Sequence, residues 1–264
     1  MNRESRIRYI LKSVERGGSP SVRDLVTHLG VSHMTVHRDL EFLEREGLLI
    51  RRHGYAVQTE ALRTRFSFSH QLEQHQVEKK AICAHAGEQV HAGDTLFIDH
   101  GSTLFFMSES LRQVEPLRVI TNSLPIAAEL MPQRGVQVVL TGGELFNDRK
   151  ACYGSLTEKA LRTLRADKAF VGADGISLEG GVSSYDEKLG EVIRIMVKNA
   201  TRTYLLVDSS KLERTAYHPI MSLSEVDGLI TDEGMPESLR RRYRAAGVKL
   251  SIAKVKKRHS KRAT

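Results

Sequence analysis

The sequence has no tryptophan, only eight phenylalanines and seven tyrosines, and just two cysteines. Cys83 and Cys152 are too few and too far apart to frame a disulfide scaffold or a zinc knuckle. No run approaches the ~18 uncharged apolar residues that span a bilayer, so no membrane association is expected. The opening residues, MNRESRIRYILKSVERGG, break their apolar pattern with charge and lack the apolar segment of a secretory signal. A cytoplasmic location is expected. The 11 histidines are scattered, with no metal spacing beside a carboxylate or thiol. Neither a metal nor a cofactor is expected.

What is present is a globular composition, 40% hydrophobic and 27% charged. The length lies between one and two ordinary domains. The net charge of +8 is unevenly spread. Residues 1–58 carry 10 basic and 7 acidic side chains, and residues 240–264 carry 11 basic and none acidic, which leaves −6 for residues 59–239. A basic end suggests an anionic partner such as nucleic acid. The tail KVKKRHSKRAT has no aromatic side chain to stack on a base, so a merely solvated tail is the alternative there.

Residues 1–58 read as three short helices and a hairpin. Ile7, Ile10, Leu11 and Val14 form one apolar helical stripe, ended by Gly17 and Gly18. Ser21 opens a second helix with Asp24 as a capping-box partner. Val22, Leu25, Val26 and Leu29 are its inner face, and Gly30 ends it. Ser32 caps a third helix with Val36, Leu40 and Leu43 inside, closed by Gly47. LLIRRHGYAVQ follows as a hairpin with His53-Gly54 near its tip. This order is that of a winged helix-turn-helix. A helix turning 100° per residue puts Met34 and Arg38 opposite the core positions, flanked by Thr35 and His37. Ser32 and His33 sit at the helix N-terminus, where backbone N–H groups favour phosphate. In such folds this end of the helix enters the major groove of double-stranded DNA.

The candidate DNA-contacting residues are therefore Ser32, His33, Met34, Thr35, His37, Arg38, Arg51 and Arg52. Arg38 is suited to a bidentate contact with guanine or to a phosphate clamp. Arg51 and Arg52 would hold the backbone from the wing. Asp39 is expected to be structural, bonding the end of a neighbouring helix. Periodicity alone also leaves open a three-helix module that binds protein.

Residues 59–75 lack strong periodicity and read as a linker, followed by a second domain over 76–253 and the basic tail, 254–264. A helix from about Gln76 is expected to carry Val77, Ile82, Ala86 and Val90 towards a core. Short apolar runs then end abruptly in small polar residues: TLFID in HGST, RVIT in NS, VQVVLT in GG, KAFVG in ADG, YLLVD in SSK and GLIT in DEG. Helical segments over 104–112, 124–131, 155–164 and 187–200 separate most of them. Apolar strands alternating with helices predict an α/β fold with a mostly parallel sheet covered on both faces. Ligands of such sheets bind at the carboxyl ends of the strands.

The loop chemistry suggests the ligand. Gly101-Ser102-Thr103 offers backbone N–H groups and two hydroxyls before a helix, a phosphate cradle. Thr121-Asn122-Ser123 and Gly142-Gly143 add donors and close backbone approach. Asp99, Asp174 and Asp208 can accept from sugar hydroxyls, and Lys211 can neutralise a phosphate. For the aspartates a helix N-cap is the alternative, above all at Asp208 and Asp232. The near-absence of aromatic residues argues against a flat nucleobase.

In the head, Arg6, Ile10, Val14 and the run Ser32-His-Met-Thr-Val-His-Arg-Asp-Leu40, continued by EFLEREGLLIRRHGYA, resemble the N-terminal signature of DeoR-type bacterial transcription regulators. IDHGST, VITNS, LTGGELF, ADKAFVGADGIS, the pair Asp186-Glu187, LLVDSSK and VDGLITD resemble the effector domain of the same family. The resemblance covers about nine-tenths of the chain and leaves out the tail after about Ala253. It implies a body similar in fold to ribose-phosphate isomerases, glucosamine-phosphate deaminases and CoA transferases. It also implies a repressor of a carbohydrate-metabolism operon that binds a phosphorylated sugar, and it adds Glu187 to the effector-binding candidates. His37 stands where the family usually has Arg, and Tyr55 where it commonly has a second Gly. His100 stands where small residues are common and either narrows the pocket or meets the ligand.

The expected partners are a double-stranded operator, a phosphorylated sugar and further copies of the chain, as a dimer or tetramer. No catalytic residue is expected. The rival is a sugar-phosphate isomerase-like enzyme using Asp174, Glu187 and Lys211 as base and cation. A nucleic-acid-binding protein without an effector is the third reading, and the polar loops argue against it.

Overall fold

The computed structural model describes residues 2–15, 20–45, 49–52, 55–57, 67–216 and 218–255. Gly17, Gly18, Gly47, His53, Gly54, residues 59–66 of the expected linker and residues 256–264 of the tail lie outside the described residues. The chain divides into two compact units, Met1–Gln71 and Leu72–Thr264.

In the first unit α1 (Arg3–Glu15), α2 (Val22–Leu29) and α3 (His33–Arg45) precede an antiparallel hairpin of β1 (Ile50–Arg52) and β2 (Tyr55–Val57). Ile7, Ile10 and Val14 of α1, Leu25 and Leu29 of α2, and Val36, Leu40 and Leu43 of α3 are buried together with Leu49 and Ala56. Leu11, Val22 and Val26 are half-buried. The Ser21 capping box forms in both directions: Asp24 N–H donates to Ser21 Oγ and Ser21 N–H to Asp24 Oδ2, each at 3.1 Å. Gly30 ends α2 at φ +62°, a left-handed conformation open to glycine without steric cost. The wing is tied to the approach to α2 by Ala56 N–H donating to Pro20 O at 2.9 Å. Within the stretch expected as linker, a six-residue helix, α4 (Phe68–Glu73), buries Phe68.

The second unit is built on seven parallel strands in the order β14-β13-β11-β8-β3-β4-β5. These are β3 (Thr95–Ile98), β4 (Leu117–Thr121), β5 (Val136–Leu140), β8 (Ala166–Val171), β11 (Ala200–Leu206), β13 (Gly228–Asp232) and β14 (Leu250–Ala253). Successive side chains of a strand face opposite sides, so each strand serves two cores. Leu96 and Ile98 of β3 pack with Ile82, Cys83 and Ala86 of α5 (Gln76–Gly87), whereas Phe97 packs with Val192 and Met196 on the other face. Each fully buried Leu, Ile, Val, Phe or Met among them contributes about 1.5–3 kcal/mol of apolar burial.

The remaining helices of this unit follow the four expected segments, except the last, over 237–245, which was not expected. A 3-10 turn (Leu104–Phe106) runs into α6 (Met107–Ser110), and α7 (Leu124–Leu130), α8 (Ser155–Thr163) and α9 (Glu187–Lys198) come after it, with α10 (Glu237–Ala245) near the C-terminus. Two antiparallel additions were not legible in the sequence: a hairpin of β6 (Glu144–Phe146) and β7 (Ala151–Tyr153), and a small sheet of β9 (Gly175–Ser177), β10 (Gly181–Ser184) and β12 (His218–Met221). One expectation is corrected. Val77 is 57% exposed, while Ile82, Ala86 and Val90 are buried. With Ile82 at 0°, Val77 falls at about 220° on the helix, away from the core. Among the described residues no helix is long and apolar enough to cross a membrane.

Candidate functional site

On the outer face of α3, His33, Met34, His37 and Arg38 are exposed, and Thr35 is half-buried on the flank. The Ser32 hydroxyl caps the helix, accepting from Thr35 N–H at 3.2 Å and lying 2.9 Å from the Thr35 hydroxyl. Asp39 turns inward. Arg6 in the first turns of α1 donates to it twice, from Nε at 2.6 Å and Nη2 at 3.2 Å. The charge of Asp39 is thereby neutralised within the fold. Arg51 is engaged as well: its backbone N–H and Nε donate to the two oxygens of Glu44 at 3.0 and 2.7 Å. Those bonds, the backbone one foremost, hold the Glu44 carboxyl below the ordinary range. Arg52 pairs with Tyr55 in the hairpin, and its side chain lies outside the described residues.

In the second unit the strand order fixes where a ligand site can lie. From β3 the chain builds outward to β4 and β5, then returns to the other side of β3 with β8 and continues through β11 and β13 to β14. The switch point is therefore between β3 and β8, and a crevice opens beyond the carboxyl ends of strands at such a point. The loops after β3 and β8 carry Asp99–Thr103 and Gly172–Asp174. They are tied together: Asp99 Oδ2 accepts from Gly172 N–H at 3.4 Å, and Asp99 Oδ1 lies 2.5 Å from His100 Nδ1. His100 is thus buried against Asp99, and Thr103 is buried beside it with its carbonyl accepting from Cys83 Sγ at 2.9 Å. The neighbouring loop after β11 supplies Asp208 and Lys211.

Sequence reasoning missed a group that stands among these loops. Lys79 of α5 is 1% exposed and donates from Nζ to Ser102 Oγ at 3.1 Å. Burial drives its pKa down to about 8, Asp208 opposes the fall and Lys211 adds to it. Its position was readable: with Ile82 at 0°, Lys79 lies at about 60°, inside the arc set by Ala86 and Cys83. A second missed group is Arg149, from the turn between β6 and β7, whose Nη2 lies 3.4 Å from Asp174 Oδ1. Asp174 Oδ2 also accepts from Ser184 Oγ and Tyr185 N–H, each at 3.0 Å. Burial pushes the Asp174 carboxyl up, but Arg149, Lys211 and these hydrogen bonds outweigh it and bring its pKa to about 2.

Other predicted residues are more occupied with the fold. Ser123 caps α7 through Ile126 N–H at 3.4 Å, and Thr121 Oγ1 accepts from Ser123 N–H at 3.1 Å. Asn122 is buried and donates from Nδ2 to Cys152 O at 3.0 Å. Gly142 O accepts from Thr157 Oγ1 at 2.6 Å. Gly143, at φ +120°, has no space for a Cβ, since one would lie 2.2 Å from Thr157 Oγ1 and 2.6 Å from Tyr153 O. Asp208 accepts from Ser210 N–H at 3.1 Å, the cap geometry weighed as its alternative role. Asp232 accepts from Ser209 N–H at 2.6 Å and Gly234 N–H at 2.8 Å. Glu187 is exposed in the first turn of α9, behind the N-cap Asp186. Among the described residues no cluster of three His, Cys, Asp or Glu side chains could hold a metal ion.

Comparison with known proteins agrees with this two-part layout. Residues 6–61 match the DeoR-like helix-turn-helix domain and residues 74–233 the DeoR C terminal sensor domain. The glycerol-3-phosphate regulon repressor of Escherichia coli (strain K12) is 32% identical over 241 residues, covering 90% of this chain and 94% of that protein. The lactose phosphotransferase system repressor of Lactococcus lactis subsp. lactis is 33% identical over 242 residues, covering 88% and 92%. A ribose 5-phosphate isomerase from Plasmodium falciparum overlaps 52% of each chain at 16% identity and a TM-score of 0.38, a likeness too slight to carry an argument. With both domains matched and full-length relatives above 30% identity, the chain belongs to the DeoR family of transcriptional regulators.

Proposed function

We propose that this chain is a cytoplasmic repressor of a carbohydrate-metabolism operon, released from its operator by a phosphorylated sugar. Residues 1–58 form the DNA-reading head, 59–75 the linker, 76–253 the sensor and 254–264 a basic tail. Two or four copies grip repeated half-sites through Ser32, His33, Met34, Thr35, His37, Arg38, Arg51 and Arg52. The sugar phosphate sits among Asp99–Thr103, Thr121–Ser123, Gly142-Gly143, Asp174, Glu187 and Lys211, joined by Lys79. Linkage requires that effector and operator weaken each other by one factor, about 5–150-fold in typical cases. The names of the relatives, a glycerol-3-phosphate regulon repressor and a lactose phosphotransferase system repressor, fit a phosphorylated metabolite.

The observation that carries the effector half is the buried ammonium of Lys79, bonded to the Ser102 hydroxyl, destabilised by burial and flanked by Asp208 and Lys211. A dianion placed beside that loop of hydroxyls would offset the burial cost of the Lys79 charge. An isomerase needs instead a base whose pKa lies near the working pH. The Asp174 carboxyl, at about 2, is far below that. The test is a panel of sugar phosphates added to the full chain. One member is expected to raise the melting temperature, release a labelled operator and be recovered unchanged. A panel without any shift would remove the sensor reading, and conversion of the ligand would restore the enzyme.

A further inference from the structure

Resting on the DNA-reading role of α3, we infer that Met34 is a specificity residue that reads the 5-methyl group of a thymine, one or two base pairs from the base met by Arg38. Met34 is 63% exposed, more than any other large apolar side chain described in the first unit. It does not contribute to the buried core, whose α3 members Val36, Leu40 and Leu43 all lie on the opposite face. Its surroundings on the outer face are polar: His33 precedes it, and His37 and Arg38 follow one turn later, all exposed. An apolar side chain held out in water beside two imidazoles and a guanidinium gains nothing from a phosphate, which offers only charge and acceptors. The major-groove edge of DNA offers one apolar group, the thymine methyl. Methionine suits it, being unbranched and polarisable.

The spacing sets the register. Met34 and Arg38 are one turn apart on the same face, with Cα atoms separated by about 6 Å along the helix axis. That rise matches between one and two base-pair steps of about 3.4 Å. The Asp39 charge is held by Arg6 inside the fold, so it does not oppose this approach.

The experiment uses the full chain. A duplex is selected from a random pool, and each thymine is replaced in turn by deoxyuridine, which removes the methyl alone. The wild-type protein is expected to lose about fourfold in affinity at one thymine per half-site, the value of one buried methyl. Met34→Ala is expected to bind the thymine and deoxyuridine duplexes equally, with an unchanged melting temperature, and Met34→Leu to keep the discrimination. Deoxyuridine without effect on the wild type, or an equal loss in Met34→Ala, overturns the inference while leaving the DNA-binding reading intact. Failure to select any duplex overturns both.

Discussion

Replacing Lys79 by methionine separates the two things a buried ammonium does. In the unfolded chain Lys79 keeps its proton up to its ordinary pKa of 10.5, and in the folded chain only up to about 8. Below pH 8 the folded state carries the whole cost of the buried charge. Between those values the unfolded chain holds a proton the folded chain has shed, so stability rises with pH, and above them the cost is gone. The gap between about 8 and 10.5 corresponds to about 3 kcal/mol. Lys79→Met, close in length and apolar, is therefore expected to raise the melting temperature of the second unit by about 6–12 °C at about pH 7. At about pH 9.5 less than half of the gain remains. The same variant is expected to lose the stabilisation by sugar phosphate, which reaches about 2.7 kcal/mol for a ligand at a hundred times its Kd. Scanning calorimetry of both proteins at the two pH values, with and without ligand, reads all of this. A variant that melts lower than wild type, or whose advantage is the same at both pH values, refutes the reasoning.

Three further perturbations probe the rest. Arg38→Ala is expected to weaken specific operator binding by about 1–3 kcal/mol, read by fluorescence anisotropy; unchanged affinity removes Arg38 from the interface. Asp39→Ala strips the counter-charge from Arg6, whose side chain is 12% exposed, and is expected to cost the first unit about 2–3 kcal/mol. Hydrogen exchange of α1 and α3 amides in the full chain measures that loss, and unaltered protection would show that water satisfies Arg6. Gly143→Ala meets both a positive φ of +120° and Thr157 Oγ1 at 2.2 Å, so about 2 kcal/mol or more of stability should be lost. A melting curve that overlays the wild type would mean the β6 entry relaxes freely.

The head was legible because its signals are local. Ser21 with Asp24, Gly30 after α2, and the spacing of Val36, Leu40 and Leu43 each constrain a few neighbouring residues, and all appear where they were expected. Six strands of the large sheet were legible for a similar reason, as short apolar runs ending in small polar residues; five of them are mostly buried, and β5, at the sheet edge, is not. β14, LSIA, is short and at the sheet edge, and β6, β7 and β9 have three residues each, too few to establish a period. The loops after β3, β8 and β11 lie side by side because parallel register delivers every strand end to one edge, and that much follows from the alternation of strands and helices. Lys79 escaped because Lys79-Lys80 looks like an ordinary solvated pair, and Val77 attracted the apolar reading instead. Only the helical phase, anchored on Ile82 rather than on Val77, distinguishes the buried lysine from the exposed one. Arg149 had no local signal at all, since its approach to Asp174 depends on a hairpin that links β5 to α8.

The return of the chain from β5 to β8 has a mechanical side. Lys79, Ser102, Asp174 and Lys211 sit on segments that covalent connectivity joins only by long detours, yet they converge across the seam between β3 and β8. On the proposed function, a small anion lodged there would act as a rivet through that seam. Any strain that parts β3 from β8 would have to break the rivet as well, so occupancy would resist separation of the two halves of the sheet even if no helix moved.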